Sequence, residues 1–229
     1  VIYPCFAPAI AESPNHEICM EALRTTEAYQ AEFIKLRHDV KIYFDRSSAS
    51  RNYAIGAESV GANNIVIHIP SNVQPIATSL ASLLAHELFH AKHRCVNNAF
   101  GSALDKILEE GLAVYHQYNL LSWSHEEPDA YISGIIAASD EQGAAFYREL
   151  YPHLNDHLNS QLDHDLFYDR SHGTPLGYIV GFYLADRAIK ANPQFLAQAG
   201  SMSFDEWKKT IVLPVPRFTS ATMPRHRAF

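Results

Sequence analysis

The chain has 229 residues, 47% of them hydrophobic and 19% charged, with 10 glycines and 12 prolines. That excludes a disordered or low-complexity chain and leaves enough length to bury a core without disulfide staples. A formal net charge of -7, from 25 acidic and 18 basic residues, gives no electrostatic reason to expect nucleic acid or an anionic membrane as partner.

Residues 1 to 14 carry three prolines and little pattern, and read as a surface segment. The three cysteines are Cys5, Cys19 and Cys95. A Cys5 to Cys19 bridge would tie down the N-terminus and imply an oxidising compartment; three unpaired small hydrophobes are the alternative. With a start at Val1 in place of Met, the bridge leans the expected compartment toward bacterial periplasm or secretion, with the cytoplasm as the other option.

From Asn15 to about Arg37, Ile18, Leu23, Tyr29, Phe33 and Leu36 recur at helical spacing with charges between them, which predicts an amphipathic helix. Val40–Phe44 and Ile65–Ile69 are rich in β-branched and aromatic residues and predict strands, with another near Tyr53 to Ile55. The stretches DRSSASRN and ESVGANN read as turns.

After Pro70 the pattern turns helical: Pro75–Cys95, Ala103–Leu121, Ala130–Ala138, Gln142–Leu158, Pro175–Ala191 and Phe204–Ile211. The longest nearly apolar run, Leu176 to Ala185, is closed by Asp186 and Arg187 and is too short for a bilayer span, which needs about 20 residues. The expectation is one α+β domain over residues 1–229, with its sheet in about 1–75 and its helical part in about 76–229.

The predicted helix over 75–95 contains HELFH at residues 86–90. His86 and His90 stand one turn apart, about 6 Å along the axis, on one face. Two imidazoles so placed can hold one Zn²⁺, and Glu87, at the edge of that face, can reach a water on the metal as general base. A chance match arises in about one chain in a hundred of this size, so a third ligand decides the matter.

VNNAFG turns the chain after Cys95, and Ser102 with Asp105 forms a capping-box pattern opening the next helix. The two helices then run antiparallel, and Glu109 and Glu110 of EEGLA both offer a carboxylate. On a helical wheel the apolar stripe passes through Leu104, Ile107, Leu108, Gly111, Tyr115 and Tyr118; Glu109 points about 160° from Gly111, into solvent, and Glu110 about 100°, at the border. Glu110 is therefore the expected third ligand, with Gly111 allowing the two helices to approach closely.

HELFH followed by EGLA resembles the gluzincin metallopeptidases, in which a Glu on a second helix completes a His, His, Glu zinc site. LLAHELFHAKHR, EEGLAVYH and PLGYIVGFYLADR together resemble a bacterial family of predicted zinc-dependent proteases with HEYHH-like cores, over roughly residues 40 to 190. Phe89 stands where that family often has a second His, and the substrate-amine motif of the related aminopeptidases is absent, so exopeptidase specificity is not carried over.

The resemblance implies a zincin-like fold, a polypeptide substrate, and zinc on His86, His90 and Glu110 with an open position for water. Glu87 would pass a proton from that water to the leaving amine. It also implies that Ile65–Ile69 is the sheet edge beside the cleft. Tyr178 in GYIVG and His172 in RSHGTP are the candidates for stabilising the oxyanion, with Tyr168 and Tyr115 chemically equivalent. Another metal-dependent amide hydrolase and a non-catalytic binding protein on the same fold are the alternatives.

His93 shares the face of the two histidines, but one ion does not span residues 86 to 93, about 10 Å apart along the axis. It reads as a polar wall or outer-shell group, or as solvent-exposed. His153 and His157 lack both an adjoining Glu and a third acid and read as surface residues; Asp163, His164 and Asp165 read as a solvated loop, with an outer-shell or ion-binding cluster as the alternative. Gly177, Gly181 and Ala185 make a smooth helix face for close packing, on a helix opened by Thr174 and Pro175.

Overall fold

A computed structural model of the chain describes residues 1–46, 55–97, 99–171 and 173–211. The elements are β1 (Ile2–Phe6), α1 (Pro8–Ala11), α2 (Asn15–Tyr29), β2 (Val40–Asp45), β3 (Gly56–Val60) and β4 (Asn64–His68), then α3 (Ala77–His93), α4 (Ala103–Trp123) and α5 (Ala130–Leu150). They continue with α6 (Ser160–Phe167), α7 (Leu176–Ala191), α8 (Gln194–Ala199) and α9 (Phe204–Thr210). The fold is α+β and zincin-like, as the sequence predicts.

The sheet has strand order β1-β2-β4-β3, with β1, β2 and β4 parallel and β3 antiparallel to β4. Val40, Ile42 and Phe44 alternate inward along β2, the period of two that a half-buried strand requires. β1 was not expected, because Pro4 lies in it; a proline is tolerated there since β1 is an edge strand and needs no ladder N–H on its open side.

Among the described residues the other edge is β3, whereas β4, expected to be the edge, is internal. Glu58–Val60, expected to lie in a turn, belong to β3, and Gly61 at φ 67 makes the tight reversal into β4. Of the strand expected near Tyr53, residues 53 and 54 lie outside the described residues.

The helices differ from expectation in several places. α1 lies in the segment expected on the surface and buries Ile10, α6 carries Asp163, His164 and Asp165 where a loop was expected, and α8 was not expected. α2 passes at Gln30–Ile34 into a π-helical turn that ends at Lys35 in the left-handed region, φ 56. α5 is one continuous helix where two were expected, since the polar run Ser139 to Gln142 contains no breaker; it stops at Leu150, ahead of Pro152. α7 starts at Leu176, with Pro175 as its N-cap in place of Thr174.

One hydrophobic cluster joins the sheet to α2 and to Leu80, Ala81, Leu84, Ala85, Leu88 and Ala91 of α3. The second joins α4 to α9 with Phe89 of α3. Helix α3 therefore lies between both clusters, with the histidines of HELFH held in the seam. Ser102 and Asp105 form the expected capping box that opens α4. No helix is long and apolar enough to cross a membrane among the described residues.

Cys5, Cys19 and Cys95 are all free. Neighbouring strand residues face opposite sides: Ile2 and Phe6 of β1 reach the cluster that contains Cys19, and Cys5, between them in alternation, points away. Of the two readings, the unpaired one holds and the Cys5 to Cys19 bridge is not formed, which removes the disulfide as an argument about compartment.

Gly111 permits a close helix approach, but to α7 and not to α3. A Cβ on Gly111 would stand 2.1 Å from the carbonyl carbon of Gly181, and one on Gly181 2.3 Å from the Ile107 oxygen. Helix propensity alone favours alanine by about 1 kcal/mol, so a net loss isolates the clash. Gly111→Ala is expected to destabilise the metal-free protein by about 1–3 kcal/mol, read from its urea midpoint.

Candidate metal centre and cleft

Helical spacing in α3 and the antiparallel return of α4 bring His86, His90 and Glu110 together, each offering one ligand atom, with all of these within 4.8 Å of one another. His86 Nε2 lies 2.9 Å from His90 Nε2, and Glu110 Oε2 lies 3.5 Å from His86 Nε2 and 3.6 Å from His90 Nε2. Tetrahedral ligands about 2.0–2.1 Å from zinc stand about 3.3–3.4 Å apart, so the donor set has the size of a zinc site.

Outer contacts favour the same use of the rings. The amide oxygen of Gln117 accepts a hydrogen bond from His86 Nδ1 at 2.9 Å. That puts the proton on Nδ1 and leaves the Nε2 lone pair directed at His90 and Glu110. His90 Nδ1 is buried without a hydrogen-bond partner among the described residues, 3.5 Å from Glu109 Oε2. Burial works against charge on Glu110, yet His90 and His86 beside it hold its carboxyl well below the usual range.

Glu109 is not in solvent, as the wheel predicted; it is 2% exposed. The wheel assumed that α4 has a solvent face, but the helix is wedged between α3 and α7 and buries Asp105, His116 and Gln117 as well. Burial alone would raise the Glu109 carboxyl, but His90 and His93 override it and bring it to about 2. His93 is fully buried, its Nδ1 2.7 Å from Glu109 Oε1, so the solvent-exposed alternative for it is discarded.

His86 and Glu87 line a cleft of about 980 Å³ that opens between the sheet edge, at Ile55, Gly56 and Ala57, and the side formed by Tyr131, Arg170 and Tyr178. Tyr178 is thus in the cleft. Burial, with Glu110, Tyr131, Tyr168 and Glu87 adding, pushes its phenol far above the ordinary value, so it stays a hydrogen-bond donor. Of the alternatives, Tyr115 stacks on Phe182 at 5.5 Å inside the core and Tyr168 is 64% exposed. His172 lies outside the described residues.

His153 is on the surface, paired with Asp156 at 2.9 Å, and Asp163 pairs with Lys106 at 2.5 Å. Sequence reasoning missed Gln117, Tyr131 and Arg170. Gln117 lies seven residues after Glu110, two full turns, so its phase could have found it. Tyr131 and Arg170 follow no pattern that points to the cleft.

Fold and cluster together define a zincin-like protein with a His, His, Glu cluster of metal-site size. Residues 19–209 match the family described as predicted Zn-dependent protease (DUF2268), and the chain belongs to that family. No curated protein and no solved structure matches the chain.

Proposed function

We propose that the protein is a zinc endopeptidase of gluzincin type, with His86, His90 and Glu110 as ligands and Glu87 as general base. The observation that carries this is the convergence of His86 Nε2, His90 Nε2 and Glu110 Oε2 at 2.9–3.6 Å, with His86 and its neighbour Glu87 lining the cleft. Zinc bound by these three groups would supply Lewis acidity, lowering the pKa of water and polarising the scissile carbonyl.

Glu87 takes the proton from the attacking water as its oxygen bonds to the carbonyl carbon. It returns that proton to the nitrogen as the C–N bond breaks. The protonated Tyr178 hydroxyl donates to the oxygen on which negative charge develops. Gln117 keeps His86 in one tautomer throughout. An extended polypeptide can add along the open side of β3, whose Gly56 and Ala57 line the cleft; backbone pairing of that kind holds many sequences in one register and suits an endopeptidase.

The test combines metal analysis with digestion of an unstructured protein substrate. Purified protein is expected to hold about one equivalent of zinc, to cleave at internal bonds, and to lose cleavage on chelation with recovery on adding zinc. Absence of bound zinc, or cleavage indifferent to chelator, ends this reading; release of single terminal residues keeps the metal and overturns the endopeptidase part.

A further inference from the structure

Helix α4 presents two adjacent acids, and the proposed mechanism uses only the second. We infer that Glu109 is a positioning residue that holds the His90 ring from behind, through Nδ1, as part of a bracket running from α9 to the metal centre. The inference rests on the zinc reading above and adds to it a residue that touches neither metal nor substrate.

The bracket is built from polar contacts that leave little choice of tautomer. Asn97 Nδ2 lies 2.6 Å from His93 Nε2 and donates to it, so the His93 proton sits on Nδ1, which donates to Glu109 Oε1 at 2.7 Å. The other oxygen, Oε2, lies 3.5 Å from His90 Nδ1, a buried nitrogen with no hydrogen bond of its own among the described residues. On the opposite side of the same ring, Nε2 faces His86 Nε2 at 2.9 Å and Glu110 Oε2 at 3.6 Å.

The far end of the bracket is fixed by packing. The His93 ring stacks on Trp207 of α9 at 3.9 Å and 14° and meets Phe204 edge-on at 4.8 Å. Asn97 is tied to the same region, donating to the Met202 carbonyl at 3.2 Å. A carboxylate buried this deeply needs full pairing, and its two oxygens divide between His93 and His90.

The two ring ligands therefore have different backing: a neutral amide, Gln117, behind His86 and an anion behind His90. A carboxylate accepting from the far nitrogen makes the imidazole a stronger metal donor and fixes its plane. A purely structural Glu109 would leave metal affinity untouched.

The test compares wild type, Glu109→Gln and Glu110→Ala by zinc affinity in chelator competition, by the visible spectrum of the Co²⁺-substituted proteins, and by unfolding of the metal-free proteins. Glu109→Gln is expected to bind zinc about 10- to 100-fold more weakly, with a shifted Co²⁺ spectrum, while Glu110→Ala loses more. Zinc affinity within about twofold of wild type overturns the inference, as does an unchanged Co²⁺ spectrum accompanied by weakened folding of the metal-free protein.

If Glu109→Gln does not fold, nitrogen-resolved NMR of zinc-loaded wild type decides. The His90 Nδ1 proton is expected to be present and slow to exchange; metal on Nδ1, or a freely exchanging proton there, overturns the inference. If Glu110→Ala binds zinc as tightly as wild type, the ligand set itself is wrong and both readings fall. If only Glu109→Gln is silent, the ligand set stands.

Discussion

Glu87→Gln is expected to retain about one equivalent of zinc while losing cleavage by at least about 10²- to 10⁴-fold in kcat, the range of a general acid–base group. The separation of the two effects follows from placement. Glu87 lines the cleft beside His86, but the cluster of ligand-sized distances contains His86, His90 and Glu110 without it. Glutamine keeps the shape and removes the base. Metal content by elemental analysis and turnover on an unfolded substrate read the two quantities separately; equal activity in the two proteins would remove Glu87 from the chemistry, and loss of zinc would make it a ligand.

Glu110→Ala should fail in the opposite order, losing the metal first and activity as a result. Its carboxylate is the only acid among the three groups that converge, and two imidazoles alone leave the site a ligand short of the three that a catalytic zinc keeps. The loss should exceed the roughly 10- to 100-fold expected of an outer-shell partner. Zinc affinity by competition, measured beside Glu109→Gln, ranks the two neighbouring acids. A weaker effect at residue 110 than at 109 would shift the ligand by one position.

Much of this was legible from periodicity and caps. HELFH on a helix, the Ser102 and Asp105 cap, and the antiparallel return that brings Glu110 to the histidines are local rules repeated along the chain. The errors have physical causes. Glu109 was misplaced because a helical wheel knows one apolar stripe: that stripe meets α7 at Gly111, and the opposite side, which the wheel leaves to solvent, packs on His90 and His93 of α3. β1 was hidden by Pro4, harmless only on an edge strand, and the edge beside the cleft was assigned to β4 when strand order, a long-range property, gives it to β3. Tyr131 and Arg170 reach the cleft through tertiary packing alone.

The contact of Gly111 with Gly181 has a consequence for the cleft as well as for stability. Glu110 adjoins one glycine and Tyr178 lies three residues before the other, so the spacing between the acid of the metal cluster and the cleft hydroxyl is gauged by main chain against main chain. A single methyl group at the crossing would reset it, moving both functional groups at once while touching neither.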